Sequence, residues 1–431
     1  MIKMLLAKLE LNDIFNILFK KGEIMSYIKI FKLLAVLLLT VSTVACSKTG
    51  EDNDYNATPT AAPTEAPTLE DILAKYSEED LDSSAYDLKK YISPFWEGNI
   101  VYNESVLPLE NEDGSIEDIP LLYNAAKIIS VRDANFRKTY TENTDYELVD
   151  GKLRIKKDGE IKTIKYSWMY PEKGSIGSDS FNRKGGGFIR FGEGDTFHSR
   201  QIVVTYVHLD AWKDEVPSSQ GDKLPKTLSK LENKEPLNIV FFGDSITVGA
   251  NSSGFVGAKP KVPRFSDMMV DALKEQYGYE DITFKNTAVG GQNTAWGANT
   301  VQNNVIKHKP DLLVLAFGMN DASTPPQTYK AQIQQIIDSV LADNPNCEVI
   351  LVATMLPNEE VQGFFGNQIK FADELKSLTK EGIALCDVTA FHSTLLKYKR
   401  YSDMTGNNVN HPNDFLARAY TQVLLKTMSK D

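Results

Sequence analysis

The sequence predicts a flavodoxin-like three-layer α/β domain over residues 235–431, preceded by an all-β, jelly-roll-like sandwich domain over residues 80–225. Two patterns carry this expectation. Beyond residue 235, near-continuous apolar strand candidates at 237–243, 282–289, 311–317, 348–355 and 383–389 alternate with helical stretches such as "PRFSDMMVDALKEQYG" and "TYKAQIQQIIDSVLADNP". Strands apolar throughout and separated by helices belong to a parallel sheet covered on both faces. From about 85 to 215, short alternating stretches are broken by turn residues, as in "YELVDGKLRIKKDGEIKTIKYSW", with Asp150-Gly151 and Asp158-Gly159 as hairpin turns. No helix that would cover a parallel sheet is visible there. At 431 residues the chain is too long for one ordinary core, which fits two folded regions.

The N-terminus reads as export machinery. Residues 26–46, "SYIKIFKLLAVLLLTVSTVAC", place Lys29 and Lys32 before about a dozen apolar and small residues, then Cys46. That is a secretory signal, too short to span a membrane. Ending on Val-Ala-Cys, residues 25–46 resemble a bacterial lipoprotein signal, which implies that Cys46 becomes the lipidated first residue of the mature chain. Thr43, where Leu is usual, departs from that pattern; the alternative is an ordinary cleaved signal and a secreted protein. "KKGEI" before Met25 must be encoded by purine-rich codons resembling a ribosome-binding sequence, so Met25 is expected to be the start and residues 1–24 a mis-assigned upstream extension. Residues 47–75, rich in Thr, Pro and acidic residues with the near-repeat "APTEAPT", read as a disordered tether. The expected location is the cell surface, with the membrane touched only through the lipid.

A net charge of −11 with no long basic run argues against a nucleic-acid partner and against membrane binding by charge. Only Cys347 and Cys386 follow Cys46; both fall in predicted buried strands and read as small hydrophobes rather than a disulfide framework. Nothing calls for a metal or cofactor. His198 and His208 lie in the sandwich without metal-ligand spacing and read as structural.

In a doubly wound sheet the site forms beyond the carboxyl ends of the strands. The first strand ends in Gly243-Asp244-Ser245, the second in "NTAVGGQNT" (286–294) and the third in "FGMND" (317–321). Near the C-terminus comes "NNVNHPNDF", in which His411 precedes Pro412, a favoured first helical residue. Alone, Gly-Asp-Ser is ordinary turn chemistry.

Together and in this order, these blocks resemble the SGNH (GDSL-type) hydrolase family over roughly the last 195 residues. The resemblance implies Ser245 as nucleophile and His411 as general base. It implies an oxyanion hole from the N–H groups of Ser245 and Gly291, with Gly290 the neighbouring alternative, and from the Asn320 amide. The chemistry is consistent: a serine hydroxyl needs a base, and a tetrahedral oxyanion needs preorganised donors. The departure lies three residues before His411, where the family usually has Asp and this chain has Asn408. An amide can orient an imidazole but cannot offset an imidazolium. The preferred reading is a Ser-His dyad with a carbonyl orienting the ring; the other is a different carboxylate, with Asp403 the candidate. Asp414, in the first turn of the last helix, is a poor one. Trp296 reads equally as substrate-lining or helix-packing, and Phe364-Phe365 as an ordinary hydrophobic contact.

A sandwich before such a domain on an exported chain resembles the two-domain carbohydrate esterases, notably carbohydrate esterase family two. This implies removal of O-acetyl groups from polysaccharide or oligosaccharide, or action on another small acyl ester, through an acyl-enzyme on Ser245. The alternatives are a lipid or thioester hydrolase, a glycan acetyltransferase, and, from another class, an inactive surface glycan-binding protein.

Overall fold

The structure, a computed structural model, describes residues 67–430. The expected upstream extension, signal, Cys46 and most of the tether lie outside the described residues. The last part of the expected tether does not: residues Leu69–Leu73 are helical, with Thr68 and Asp71 forming a reciprocal capping box. Ile72 is buried among Ile100, Tyr102 and Val207, so residues 67–75 are part of the folded body. Burial of an apolar side chain outweighs the local Thr/Pro composition here.

The β region is antiparallel, as expected. Strands β1 (Ile100–Val106), β2 (Ala125–Asp133), β3 (Thr139–Tyr140) and, later in the chain, Ile202–His208 form one sheet, with Ile202–His208 between β1 and β2. Two ribbons accompany it, β4 (Tyr146–Val149) with β5 (Lys152–Ile155) and β6 (Ser180–Asn182) with β7 (Phe188–Arg190). Ile202–His208 is therefore β8. The β4–β5 turn is Asp150-Gly151, with both residues at positive φ (49° and 76°), as a type I′ turn needs. Asp158-Gly159 is also a turn, but not a hairpin: Asp145 accepts the Glu160 N–H at 2.7 Å and no paired strand follows.

The α/β region has a five-stranded parallel sheet of β9 (Leu237–Gly243), β10 (Ile282–Asn286), β11 (Leu312–Ala316), β12 (Glu348–Ala353) and β13 (Ile383–Asp387), in the order β10-β9-β11-β12-β13. This is the flavodoxin-like order that the strand and helix alternation predicts. Among its helices are α1 (Ser245–Val248), α2 (Phe265–Tyr277), α3 (Thr294–Asn304), α4 (Pro326–Asp343), α5 (Val388–Leu395) and α6 (Asp414–Met428). Period-two alternation divides the inner strands between two cores. Ile239, Phe241, Val314 and Val352 join α2 and α6 on one face, while Val240, Phe242, Leu315 and Leu351 join α3 and α4 on the other.

The first of these cores continues into the β region through Val106, Ile128, Val204 and Tyr206, and all described residues belong to one compact unit. The segment between the regions is no free linker. Helix Pro225–Glu232 buries Leu228 and Leu231, and Glu348 accepts the N–H groups of Lys226 and Thr227 at its N-terminus. Cys347 and Cys386 are buried free thiols, and burial pushes Cys347 up to about 12 and Cys386 higher still.

Candidate active site

β9 ends where its neighbours crowd it. A Cβ on Gly243 would lie 2.3 Å from the Ala316 carbonyl oxygen, so only glycine lets the chain turn there. Asp244 then caps α1, accepting the Ile246 N–H at 3.0 Å, and Gly249 closes the helix in the left-handed conformation at φ 89°. Ser245 is the first helical residue, so its own N–H has no intrahelical partner. Asp244 is buried without a counter-charge. Burial pushes its carboxyl up to about 7, outweighing the Ile246 bond and the field of His411.

The second block supplies a turn beside Ser245. Val289 N–H bonds to Gly243 O at 3.1 Å, and Gly290-Gly291 form the centre of a turn with Gly291 at φ 75°. Gly290 is the glycine nearer Ser245: a Cβ there would meet the Ser245 Cβ at 3.7 Å, whereas one on Gly291 would face open space. The third block reaches the same turn, because Asn320 Nδ2 donates to Gln292 O at 2.9 Å. That leaves the second N–H of the Asn320 amide for an incoming oxygen. Asp321 braces the arrangement by accepting the Thr294 hydroxyl at 2.6 Å at the start of α3.

His411 lies in the loop before α6. Asn413 caps that helix, so Pro412 precedes the cap rather than opening the helix. His411 Nε2 is 2.8 Å from Ser245 Oγ, and both residues are more than nine-tenths buried. The other ring nitrogen faces Asn251 Oδ1 at 2.6 Å. The orientation of that amide is fixed, because Asn251 Nδ2 points at two carbonyls, Gly194 O at 2.9 Å and Gly406 O at 3.4 Å. Oδ1 can only accept, so Nδ1 carries the proton and Nε2 is left free to take one from Ser245. A carboxylate also approaches: Glu193 Oε2 is 3.4 Å from His411 Nδ1.

Neither residue expected to orient the ring does so. Asn408 turns away at φ 68°, donating to Arg190 O at 3.0 Å and accepting from the Asn358 amide at 3.3 Å. Asp403 receives the Leu107 N–H at 2.7 Å and pairs with Arg400 at 3.0 Å, which commits its carboxylate to joining the β region to the α/β region. Asp414 accepts the Ser253 N–H instead. Trp296 packs inward, its ring 5.6 Å from that of Phe242, which leaves the helix-packing reading. Phe364 stacks edge-on to Phe181 of β6. His198 bonds Lys259 O at 2.7 Å and His208 stacks on Tyr123. Among the described residues, no group of three or more His, Cys, Asp or Glu could hold a metal ion.

Residues 241–419 match the model of the GDSL-like Lipase/Acylhydrolase family. This stretch of the chain is similar to the GDSL-like acylhydrolases. An uncharacterized protein of Mycoplasma pneumoniae is 26% identical to the chain over 185 residues, which are 41% of this chain and 20% of that protein. Among solved structures, a two-domain esterase active on acetylated mannans is 21% identical, covering 48% of this chain and 54% of that one, with a TM-score of 0.40. A catalytic mutant of an acetylxylan esterase from Geobacillus stearothermophilus is 18% identical, covering 45% and 95%, with a TM-score of 0.38. The chain thus spans a fifth of that Mycoplasma relative and about half of the two-domain esterase.

Two residues against the His411 ring, Asn251 and Glu193, were not found by sequence reasoning. Asn251 lies just past the Gly249 cap of α1, and that cap was the available signal. Glu193 comes from the β region, where nothing in its spacing marks it.

Proposed function

We propose that the protein is a serine esterase acting through an acyl-enzyme on Ser245. The observation that carries the reading is the 2.8 Å contact between Ser245 Oγ and His411 Nε2, in a ring whose tautomer Asn251 fixes. In the proposed cycle Nε2 takes the hydroxyl proton as Oγ attacks the acyl carbonyl. The tetrahedral oxyanion is met by the Ser245 N–H, the glycine-turn N–H and the Asn320 amide, each donor worth on the order of 3 kcal/mol. His411 then returns the proton to the departing alcohol. Water, deprotonated by Nε2, attacks the acyl-enzyme, and collapse releases the acid and restores Ser245.

For substrate we infer an O-acetylated polysaccharide or oligosaccharide. The support is the order of parts, an antiparallel β region packed on an acylhydrolase domain, together with the leader expected to export the chain as a surface lipoprotein through Cys46. The test is acetate release from acetylated xylan, acetylated mannan and p-nitrophenyl acetate by the wild type and by Ser245→Ala. Release that depends on Ser245 is expected. Turnover of p-nitrophenyl acetate alone would sink the carbohydrate reading, and no turnover of any ester would sink the esterase.

A further inference from the structure

Where the family pattern has one aspartate behind the histidine, this fold divides the work between two residues. We propose that Glu193, on the loop between β7 and β8, is the positioning residue that supplies the negative charge behind His411, while Asn251 sets the tautomer. The inference rests on the esterase reading and deepens it, because the β region then completes the active site.

The geometry supports a built contact rather than a passing one. Glu193 Oε2 is 3.4 Å from His411 Nδ1, and Glu193 Oε1 accepts from Asn407 Nδ2 at 3.1 Å. The same Asn407 side chain, fully buried, accepts through Oδ1 the N–H groups of Val409, Asn410 and His411 at 3.0, 3.0 and 3.1 Å. One amide therefore holds both the histidine loop and the carboxylate. Asn251 binds the next residue of the glutamate loop, Gly194, through its carbonyl. That loop is tight: Gly194 sits at φ 70°, and a Cβ on Gly192 would lie 2.6 Å from the Thr196 methyl carbon.

The electrostatics agree. Burial pushes the Glu193 carboxyl up, but its hydrogen bond and charge interaction with His411 and the amides of Asn407 and Asn251 more than offset this, so it stays below its ordinary value. Its side chain is 52% exposed, so water screens the pair and its effect is moderate. The other acids near the ring are accounted for: Asp244 is buried at the end of β9, Asp403 is held by Arg400, and Asp414 is held by Ser253. An amide oxygen cannot offset an imidazolium, and a carboxylate can.

The test compares the wild type, Glu193→Gln, Glu193→Asp and Ser245→Ala in kcat and KM on p-nitrophenyl acetate against pH. The titration of the His411 imidazole is followed by NMR in each protein. For Glu193→Gln the expected result is a loss of up to about tenfold in kcat, little change in KM, and a downward shift of both the acid limb and the imidazole titration. Glu193→Asp should recover part of each. Unchanged kcat and an unchanged titration in a folded Glu193→Gln protein would overturn the proposal while leaving the esterase intact. A wild type without esterase activity would overturn the esterase reading, and the imidazole titration would still decide for or against Glu193.

Discussion

Lys399 Nζ lies 2.6 Å from Glu104 Oε1, and neither side chain has any exposed surface. The pair joins the β region to the α/β region. Glu104 also receives the Leu122 N–H and the Tyr206 hydroxyl, and Lys399 donates to Ser105 O at 2.9 Å. Removing one charge from a fully buried pair strands the other, which costs about 3–5 kcal/mol. Lys399→Met is therefore expected to lower unfolding stability in urea by that amount, and Lys399→Met with Glu104→Leu to lower it by less. A single-variant loss below about 1 kcal/mol would show that the buried carboxylate is satisfied without the lysine.

Asn320 offers one N–H to Gln292 and leaves the other free beside the turn that flanks Ser245. Asn320→Ala is expected to reduce kcat by about 10²- to 10³-fold with a much smaller change in KM, since the lost donor acts on the oxyanion rather than on the ground state. Steady-state kinetics on p-nitrophenyl acetate decide this. A change in KM alone would place Asn320 in substrate binding.

Restoring the family residue at position 408 is expected to fail. The Asn408 amide nitrogen donates to Arg190 O at 3.0 Å, so Asn408→Asp would set a carboxylate oxygen against a buried carbonyl and gain no contact with His411. The variant should be destabilised by about 1–3 kcal/mol with no gain in kcat. Paired thermal melts and rates test it, and a rise in kcat would show that the side chain can turn toward the ring.

The same residue shows how far the sequence could be read. Three of the four blocks were legible because each is a short motif at the end of a predicted strand, and strand ends converge in a doubly wound sheet; the fourth was legible as His411 in a short motif before the last helix. Ser245 and Asn320 needed only the strand-end rule. What stands behind the histidine was not legible, because it is assembled across loops: Asn251 is 160 positions from His411, and Glu193 is 214 from the Asn407 that holds it. No periodicity links such positions. Asn408 occupies the expected place in sequence, yet its left-handed backbone carries the side chain away from the ring. The helix Leu69–Leu73 was missed for a different reason. Its capping box, Thr68 with Asp71, was readable but was masked by the Thr/Pro composition of the tether before it.

Asp244 gives the stability a pH dependence of definite sign. Burial raises its carboxyl from 3.8 to about 7 in the folded state. Below about pH 4 the group is protonated both folded and unfolded, and it adds nothing to the pH dependence. Between about pH 4 and 7 the unfolded chain ionises first, so the unfolded state binds fewer protons and stability falls as pH rises. Above about 7 both states are ionised and the loss levels off. Asp321 and Asp414 are raised by burial as well, so the wild-type curve alone would mix several groups. Asp244→Asn isolates the first, since the amide oxygen still caps Ile246 N–H. The variant's stability relative to wild type, measured by urea unfolding from pH 4 to 8, is expected to rise between about pH 4 and 7 and then stay level. A difference that does not vary with pH would show that Asp244 is ionised in the folded protein throughout, with a counter-charge beyond the residues that surround it here.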